Sequence, residues 1–115
     1  MASYTENLLN ILKDEMDYQE TRIRHCYERV EYCIELYQKG NKNAGEAKKT
    51  VLENYNPALK YYQAWQAEVE KFFSENGKNL GFFEKRKIEK FVSAHKKEME
   101  DMLTKMKEFL SKIGK

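Results

Sequence analysis

Three long segments of this chain place core-type residues at alternating spacings of four and three, and this repeat constrains the fold more than any other feature. Its average of about 3.5 residues keeps one seam of a helix turned toward a neighbouring helix. The sequence therefore predicts long α-helices packed side by side. The seam positions are Leu12, Met16, Gln19, Ile23, Cys26, Val30, Cys33 and Tyr37; then Val51, Tyr55, Ala58, Tyr62, Trp65, Val69 and Phe72; then Ile88, Val92, His95, Met99, Met102, Met106, Phe109 and Ile113.

The length and composition of the chain fit one helical domain. It has 115 residues, of which 35% are charged and 41% hydrophobic, with one Pro and five Gly. A chain of this size builds a single core, and this composition argues against a sheet protein. We predict an all-α fold: an elongated, antiparallel (up-down-up) three-helix bundle that resembles a coiled coil, with residues 1–115 as one domain.

Residues that favour caps and turns mark the ends of the predicted helices. Ser3 or Thr5 can cap the first helix, and Gly40 is the residue type that ends a helix in the left-handed conformation. The second helix is expected to start near Asn43, and Gly114 to end the third. The predicted helices span approximately residues 5–39, 44–76 and 82–113.

Pro57 lies inside the second predicted helix. It lacks a backbone donor and collides with the carbonyl of Glu53, which costs about 3 kcal/mol in a regular helix. Either Asn56 caps a new helix that begins at Pro57, or one helix continues with a kink. The apolar spacing keeps its register from Val51 to Tyr62, so the sequence favours a single helix kinked at Pro57.

The first helix carries more apolar surface than its seam needs. A second row of apolar and aromatic residues recurs every seven positions along this helix. It occupies heptad positions that face water in a simple three-helix bundle, and arginines lie beside it. Tyrosine and arginine are enriched at binding hot spots. We therefore predict a partner-binding face; the alternatives left open are tyrosine rings lying along the surface, or a core rotated from this register. The face comprises Ile11, Tyr18, Arg22, His25, Arg29 and Tyr32.

The third helix is the basic part of the chain. Residues 77–115 hold 11 Lys+Arg and 6 Asp+Glu, whereas residues 1–39 hold 5 and 8. Opposite charge on neighbouring first and third helices would favour their pairing. Acidic residues are interspersed, so the spacing does not isolate one basic face. The alternative is a patch that binds nucleic acid or an anionic surface through Lys85, Arg86, Lys87 and Lys90.

Catalytic and cofactor signals are weak. His95 occupies a seam position, but Val92 stands where a di-iron bundle would place the Glu of a Glu-x-x-His motif. We expect a core histidine bonded to a tyrosine hydroxyl, with no metal site and no cofactor. The paired carboxylates of Asp14 and Asp17 are expected on an exposed flank rather than in a cleft. The sequence therefore predicts that the protein is not an enzyme.

The cysteines and the apolar segments of the sequence indicate the cellular compartment in which the protein is expected. Cys26 and Cys33 lie seven residues apart on one helix face, about 10.5 Å along the axis, which is too far for a mutual disulfide. Buried free thiols are expected, and an intermolecular disulfide is the alternative. No apolar run reaches the length of a membrane span, and no signal-peptide pattern opens the chain. We expect a cytoplasmic protein.

The outline of three long helices in about 110 residues is similar to spectrin-type repeats and to the N-terminal regulatory bundles of syntaxins. No motif of either family is present, so the likeness is architectural and implies no function. The sequence leads us to expect a non-enzymatic protein-protein interaction module, such as a small adaptor, inhibitor or assembly factor. Its partner would be another protein or a second copy in a homodimer; nucleic acid is the alternative.

Overall fold

The computed structural model describes residues 4–113, apart from the side chain of Thr5, and within that range the chain forms three long α-helices. A short 3-10 turn, Gly77–Asn79, follows the second helix, and the molecule measures 56 × 23 × 18 Å. The prediction of an elongated all-α bundle is confirmed. The helices are α1, Tyr4–Gln38; α2, Ala44–Asn76; and α3, Phe82–Lys112.

Local chemistry explains where α1 ends and α2 begins. Gly40 has a φ of 79°, the left-handed conformation predicted for it. Asn43 precedes α2, and its side-chain Oδ1 accepts a hydrogen bond of 2.8 Å from the backbone N–H of Glu46. This bond satisfies one of the donors that the first turn of a helix leaves free. The predicted caps Ser3 and Gly114, and the side chain of Thr5, lie outside the described residues.

The predicted seams form the core. Every seam position is buried or half-buried, and the half-buried hydrophobic ones pack against the buried cluster. The alternative of a core rotated from this register is therefore wrong. The largest fully buried side chains are Trp65, Leu12, Met16, Ile23, Ile88, Met99, Met106, Val30, Val51 and Cys33.

Contacts between α1 and α2 pair residues in opposite order along the two helices. The Cys33 thiol lies 3.8 Å from the carbonyl oxygen of Ala47, near one end of the pair. Toward the other end, Arg22 Nη1 lies 3.4 Å from the hydroxyl of Tyr61. Residue numbers thus rise along α1 while they fall along α2, which is the order that an up-down-up arrangement requires.

Contacts between α1 and α3 pair residues in the same order. Glu20 meets His95 at 2.6 Å, and one turn further on Arg24 lies 3.8 Å from Glu98. In the second pair α1 supplies the cation and α3 the anion, the reverse of the net charges of the two segments. The net charges of the two segments therefore do not predict which side chains form ion pairs between α1 and α3.

α2 continues as one helix across Pro57. The alternative in which Asn56 caps a new helix is therefore wrong, and the kink at Pro57 stays a prediction. Continuity is explained by packing, because Ala58 and Trp65 on the far side of the proline are both buried in the common core. Burial of that face offsets the missing hydrogen bond.

Both cysteines are free and buried, as expected. Burial raises the pKa of the Cys26 thiol, an effect that nearby Arg29 partly opposes. A buried thiol with a raised pKa is a poor nucleophile. Among the described residues, no helix is both long enough and apolar enough to cross a bilayer.

Candidate functional site

An open recess of about 620 Å³ lies beside α1 where the partner-binding face is predicted. Four of the six predicted residues line it, and α2 contributes one aromatic wall. We call it the α1–α2 recess. Its lining comprises Asp14, Asp17, Tyr18, Thr21, Arg22, His25, Cys26, Arg29 and Tyr61.

Arg22 is held between two tyrosine rings in this recess. Its guanidinium carbon lies 4.4 Å from the ring centre of Tyr18 and 5.2 Å from that of Tyr61. Nη1 also donates a hydrogen bond of 3.4 Å to the Tyr61 hydroxyl. A guanidinium has five N–H donors, so this arrangement positions the group and leaves donors for a ligand. The sequence marks Tyr61 only as part of an aromatic cluster with Tyr62 and Trp65 that fills the core or lines a groove, and its contact with Arg22 was missed because the two residues lie on different helices.

The other predicted residues of the face are distributed over neighbouring recesses. Tyr32 lines a second recess of about 430 Å³, which it shares with Arg29. Ile11 lines a third, separate recess beside Phe72 of α2. Tyr18 is 56% exposed and Tyr32 is 63% exposed. The structure therefore brings Tyr18, Arg22, His25 and Arg29 together, joins Tyr32 through Arg29, and leaves Ile11 apart.

Asp14 and Asp17 require a correction. Both are exposed, as expected for a helix flank, but both also line the α1–α2 recess with His25. The expectation that they stand outside any cleft is therefore wrong. The expectation fails because a heptad pattern describes the faces of α1 alone, whereas one side of the recess is formed by Tyr61 of α2. The absence of enzymatic activity stays a prediction.

A buried carboxylate links α1 to α3. Only 7% of the Glu20 side chain is exposed, and its Oε2 lies 2.6 Å from Nδ1 of His95. Arg24 Nη2 approaches Glu20 at 3.5 Å and Glu98 at 3.8 Å. The predicted tyrosine partner of His95 is therefore wrong. Glu20 is the partner of His95 instead. It lies about one helical turn before the buried seam residue Ile23, so its side chain reaches the contact between α1 and α3.

The electrostatics of this cluster follow from burial. Desolvation raises the pKa of the Glu20 carboxyl, nearby Glu98 raises it further, and His95 opposes the rise. One ligand atom each from Glu20, His95 and Glu98 lie within 4.8 Å of one another, so these residues could hold a metal ion. Arg24 already supplies positive charge to both carboxylates. The predicted absence of a metal and of a cofactor stays a prediction.

A second candidate surface lies at the start of α3. Three of the four predicted basic residues, Arg86, Lys87 and Lys90, line a shallow recess of about 390 Å³ with Phe82 and Phe83. We call these five residues the basic-phenylalanine face. At 3.6 residues per turn they span about 140° of the helix circumference. The fourth predicted residue, Lys85, lies outside this recess.

The acidic residues at the start of α3 lie beside the basic-phenylalanine face. Acidic residues are interspersed along α3, but Glu84 and Glu89 do not line the recess. The expectation that the spacing isolates no single basic face along α3 stays a prediction. The available signal was Phe82 and Phe83, two adjacent aromatic residues outside the heptad seam.

No protein-family model matches the chain, no curated protein is significantly similar, and no solved structure is significantly similar. The features that define the class of this protein are therefore the three-helix bundle and its recesses.

Proposed function

We propose that this chain is a non-enzymatic protein-protein interaction module that binds its partner through the α1–α2 recess and the adjoining face of α1. Such a module would act as a small adaptor, an inhibitor or an assembly factor. The observation that carries the proposal is the placement of Tyr18, Arg22, His25 and Arg29 around one open recess. Hot spots are rich in tyrosine and arginine, and they gain affinity when held in place before binding.

The chemistry of the recess favours a particular kind of protein segment. Arg22 is fixed between Tyr18 and Tyr61 and offers a planar set of donors, which matches a carboxylate. The tyrosine rings offer apolar surface beside it. A segment with an acidic side chain next to an apolar one is therefore the proposed ligand. A second copy of this chain is a companion proposal, since a homodimer would cover the same exposed tyrosines.

We place this module in the cytoplasm. Free buried thiols at Cys26 and Cys33 suit a reducing compartment.

The test combines Tyr18→Asp with Tyr32→Asp. Both side chains are exposed, so helicity is expected to remain while association is lost. Sedimentation of the purified protein tests self-association, and pull-down tests association with another protein. Arg22→Lys should weaken binding by about tenfold, because lysine keeps the charge but loses the planar fork.

Leu52→Asp is the matched control. Leu52 is an exposed apolar residue on α2 outside the three recesses beside α1, so this change also replaces an apolar side chain by a carboxylate. It should leave association unchanged. If the tyrosine variant associates as well as the parent protein, the proposed face is wrong.

A second candidate function is binding to an anionic macromolecule or surface through α3. The observation that favours it is the grouping of Arg86, Lys87 and Lys90 around one recess. Such binding weakens steeply as salt concentration rises. Retention on heparin at low salt, and its loss in Arg86→Glu with Lys90→Glu, would support it; no retention at low salt would reject it.

A further inference from the structure

Two phenylalanines at the start of α3 are unusually exposed. Phe82 is 68% and Phe83 is 84% accessible to solvent, more than any other large hydrophobic side chain among the described residues. Large apolar side chains exposed side by side mark interaction surfaces. Because both lie outside the core, a folding role does not explain them.

The two rings form a small apolar projection with a cation against it. Their ring centres lie 5.5 Å apart in an edge-to-face pair, and the Arg86 guanidinium lies 5.6 Å from the centre of Phe82. Lys87 and Lys90 line the same recess one and two turns further along α3. Apolar rings thus stand at the end of the bundle, flanked by basic groups.

The basic residues of this face form no ion pair among the described residues. The ion pairs that α3 forms through His95, Lys96 and Glu98 lie further along the helix than the face. The neighbouring acids Glu84 and Glu89 do not line the recess. The face therefore presents three positive charges without an acidic side chain between them.

We propose that the basic-phenylalanine face docks on an anionic phospholipid bilayer. This inference rests on the second candidate function and names its ligand. Arg86, Lys87 and Lys90 lie against the phosphate and carboxylate headgroups, while Phe82 and Phe83 enter the boundary between headgroups and acyl chains. This is the combination of aromatic and basic residues by which peripheral helices bind membranes.

A lipid surface fits this face better than a nucleic acid does. Binding of single strands depends on open aromatic faces on which bases stack. Here the edge-to-face arrangement and the Arg86 guanidinium occupy space against the rings. The face also lies on the outer side of a single helix, and its recess is shallow, so it can lie against a bilayer but does not enclose a strand.

The experiment measures co-sedimentation of the full chain with vesicles. One set contains phosphatidylcholine alone, and the other contains phosphatidylcholine with about a quarter phosphatidylserine. We expect binding to the anionic vesicles only. Arg86→Glu with Lys90→Glu should weaken it by at least 25-fold, at about fivefold for each positive charge removed. Phe82→Ser with Phe83→Ser should weaken it by about tenfold through lost apolar contact.

Two controls separate the docking face from general charge and from misfolding. Lys48→Glu with Lys107→Glu makes the same charge change at exposed positions on α2 and on the far part of α3, and it should reduce binding much less. Because all the substituted residues are exposed, far-UV circular dichroism and the melting temperature should stay close to those of the parent protein.

Several outcomes would overturn the lipid proposal. It is wrong if the parent protein fails to bind the anionic vesicles, or if the phenylalanine variant binds them as well as the parent. Retention on heparin without vesicle binding would reject the lipid ligand and leave the second candidate function standing. If the protein neither binds the anionic vesicles nor is retained on heparin, the lipid proposal and the second candidate function are both wrong.

Discussion

Glu20 shows how one residue departs from the pattern of its helix. Its carboxylate is almost fully buried and reaches His95 of α3 at 2.6 Å. A buried charge is costly unless it is paired, and here His95 and Arg24 supply the pairing. Desolvation still dominates, because the pKa of the Glu20 carboxyl is raised above its ordinary value of 4.5.

The raised pKa makes stability depend on pH. From pH 4.5 up to its folded-state pKa, Glu20 holds a proton that the unfolded chain releases. Stability from this group is therefore fully present below pH 4.5 and is lost as the pH rises through the folded-state pKa. Glu20→Gln removes the titration, so its free energy of unfolding should decline less over this interval. Urea unfolding at a series of pH values measures the difference.

Glu31→Gln is the control for this prediction. Glu31 lies on the same helix but is exposed, so its removal should leave the pH dependence of the parent protein intact. Equal declines in Glu20→Gln and the parent would show that Glu20 does not carry the effect.

At the scale of the helices, two glycines at or beside the connection between α1 and α2 are in opposite situations. Gly40 has a φ of 79°, which is strained for a residue with a Cβ. Gly45 lies in the first turn of α2, and a Cβ there would meet Asn43 Oδ1 at an ordinary 3.5 Å. The first glycine serves the turn, whereas the second only weakens the helix.

The same substitution at the two sites should therefore have opposite effects. Gly40→Ala should lower the free energy of unfolding by about 1 kcal/mol, since alanine resists the left-handed conformation. Gly45→Ala should raise it by about 0.5 kcal/mol, because alanine favours the helix and restricts the unfolded chain. Thermal unfolding of both variants measures the shifts. Shifts of the same sign would contradict this account of the connection.

At the scale of the whole molecule, Trp65 of α2 belongs to one core to which all three helices contribute. It is only 1% exposed and stacks on Tyr62, with ring centres 5.9 Å apart. The Tyr62 hydroxyl in turn donates a hydrogen bond of 2.8 Å to Glu100 of α3. This chain of contacts ties α2 to α3, while the buried side chains of α1 complete the core.

A single core predicts a single unfolding transition. The fluorescence of Trp65, the one tryptophan in the chain, should change at the same midpoint as far-UV circular dichroism. The enthalpy at the midpoint should be about 80 kcal/mol for a domain of this size. Thermal unfolding followed by both probes measures this.

Ile88→Ala provides the check on α3. Ile88 is fully buried, so its truncation should lower the free energy of unfolding by about 3 kcal/mol and move both midpoints together. Separate midpoints, or a shift seen by only one probe, would show that α3 unfolds on its own.

The sequence by itself determined the helices and the core. The four-three spacing selected Leu12, Ile23 and Trp65 as core residues, and all three are buried. It also left Tyr18 and Tyr32 outside the seam, and both are exposed. These features follow from periodicity, because apolar residues that repeat every 3.5 positions on average line one seam of a helix.

Only the tertiary structure decided which side chains from different helices meet. Tyr61 against Arg22 and Glu20 against His95 are separated by 39 and 75 residues, and no spacing along one helix encodes such pairs. The outward position of Phe82 and Phe83 likewise depends on how α3 turns its seam toward the core. The periodicity of each helix determines which of its faces is buried. The rotation and the offset between helices determine which side chains of other helices that face contacts. Rotation and offset depend on the packing of all three helices, so the sequence of one helix does not determine them.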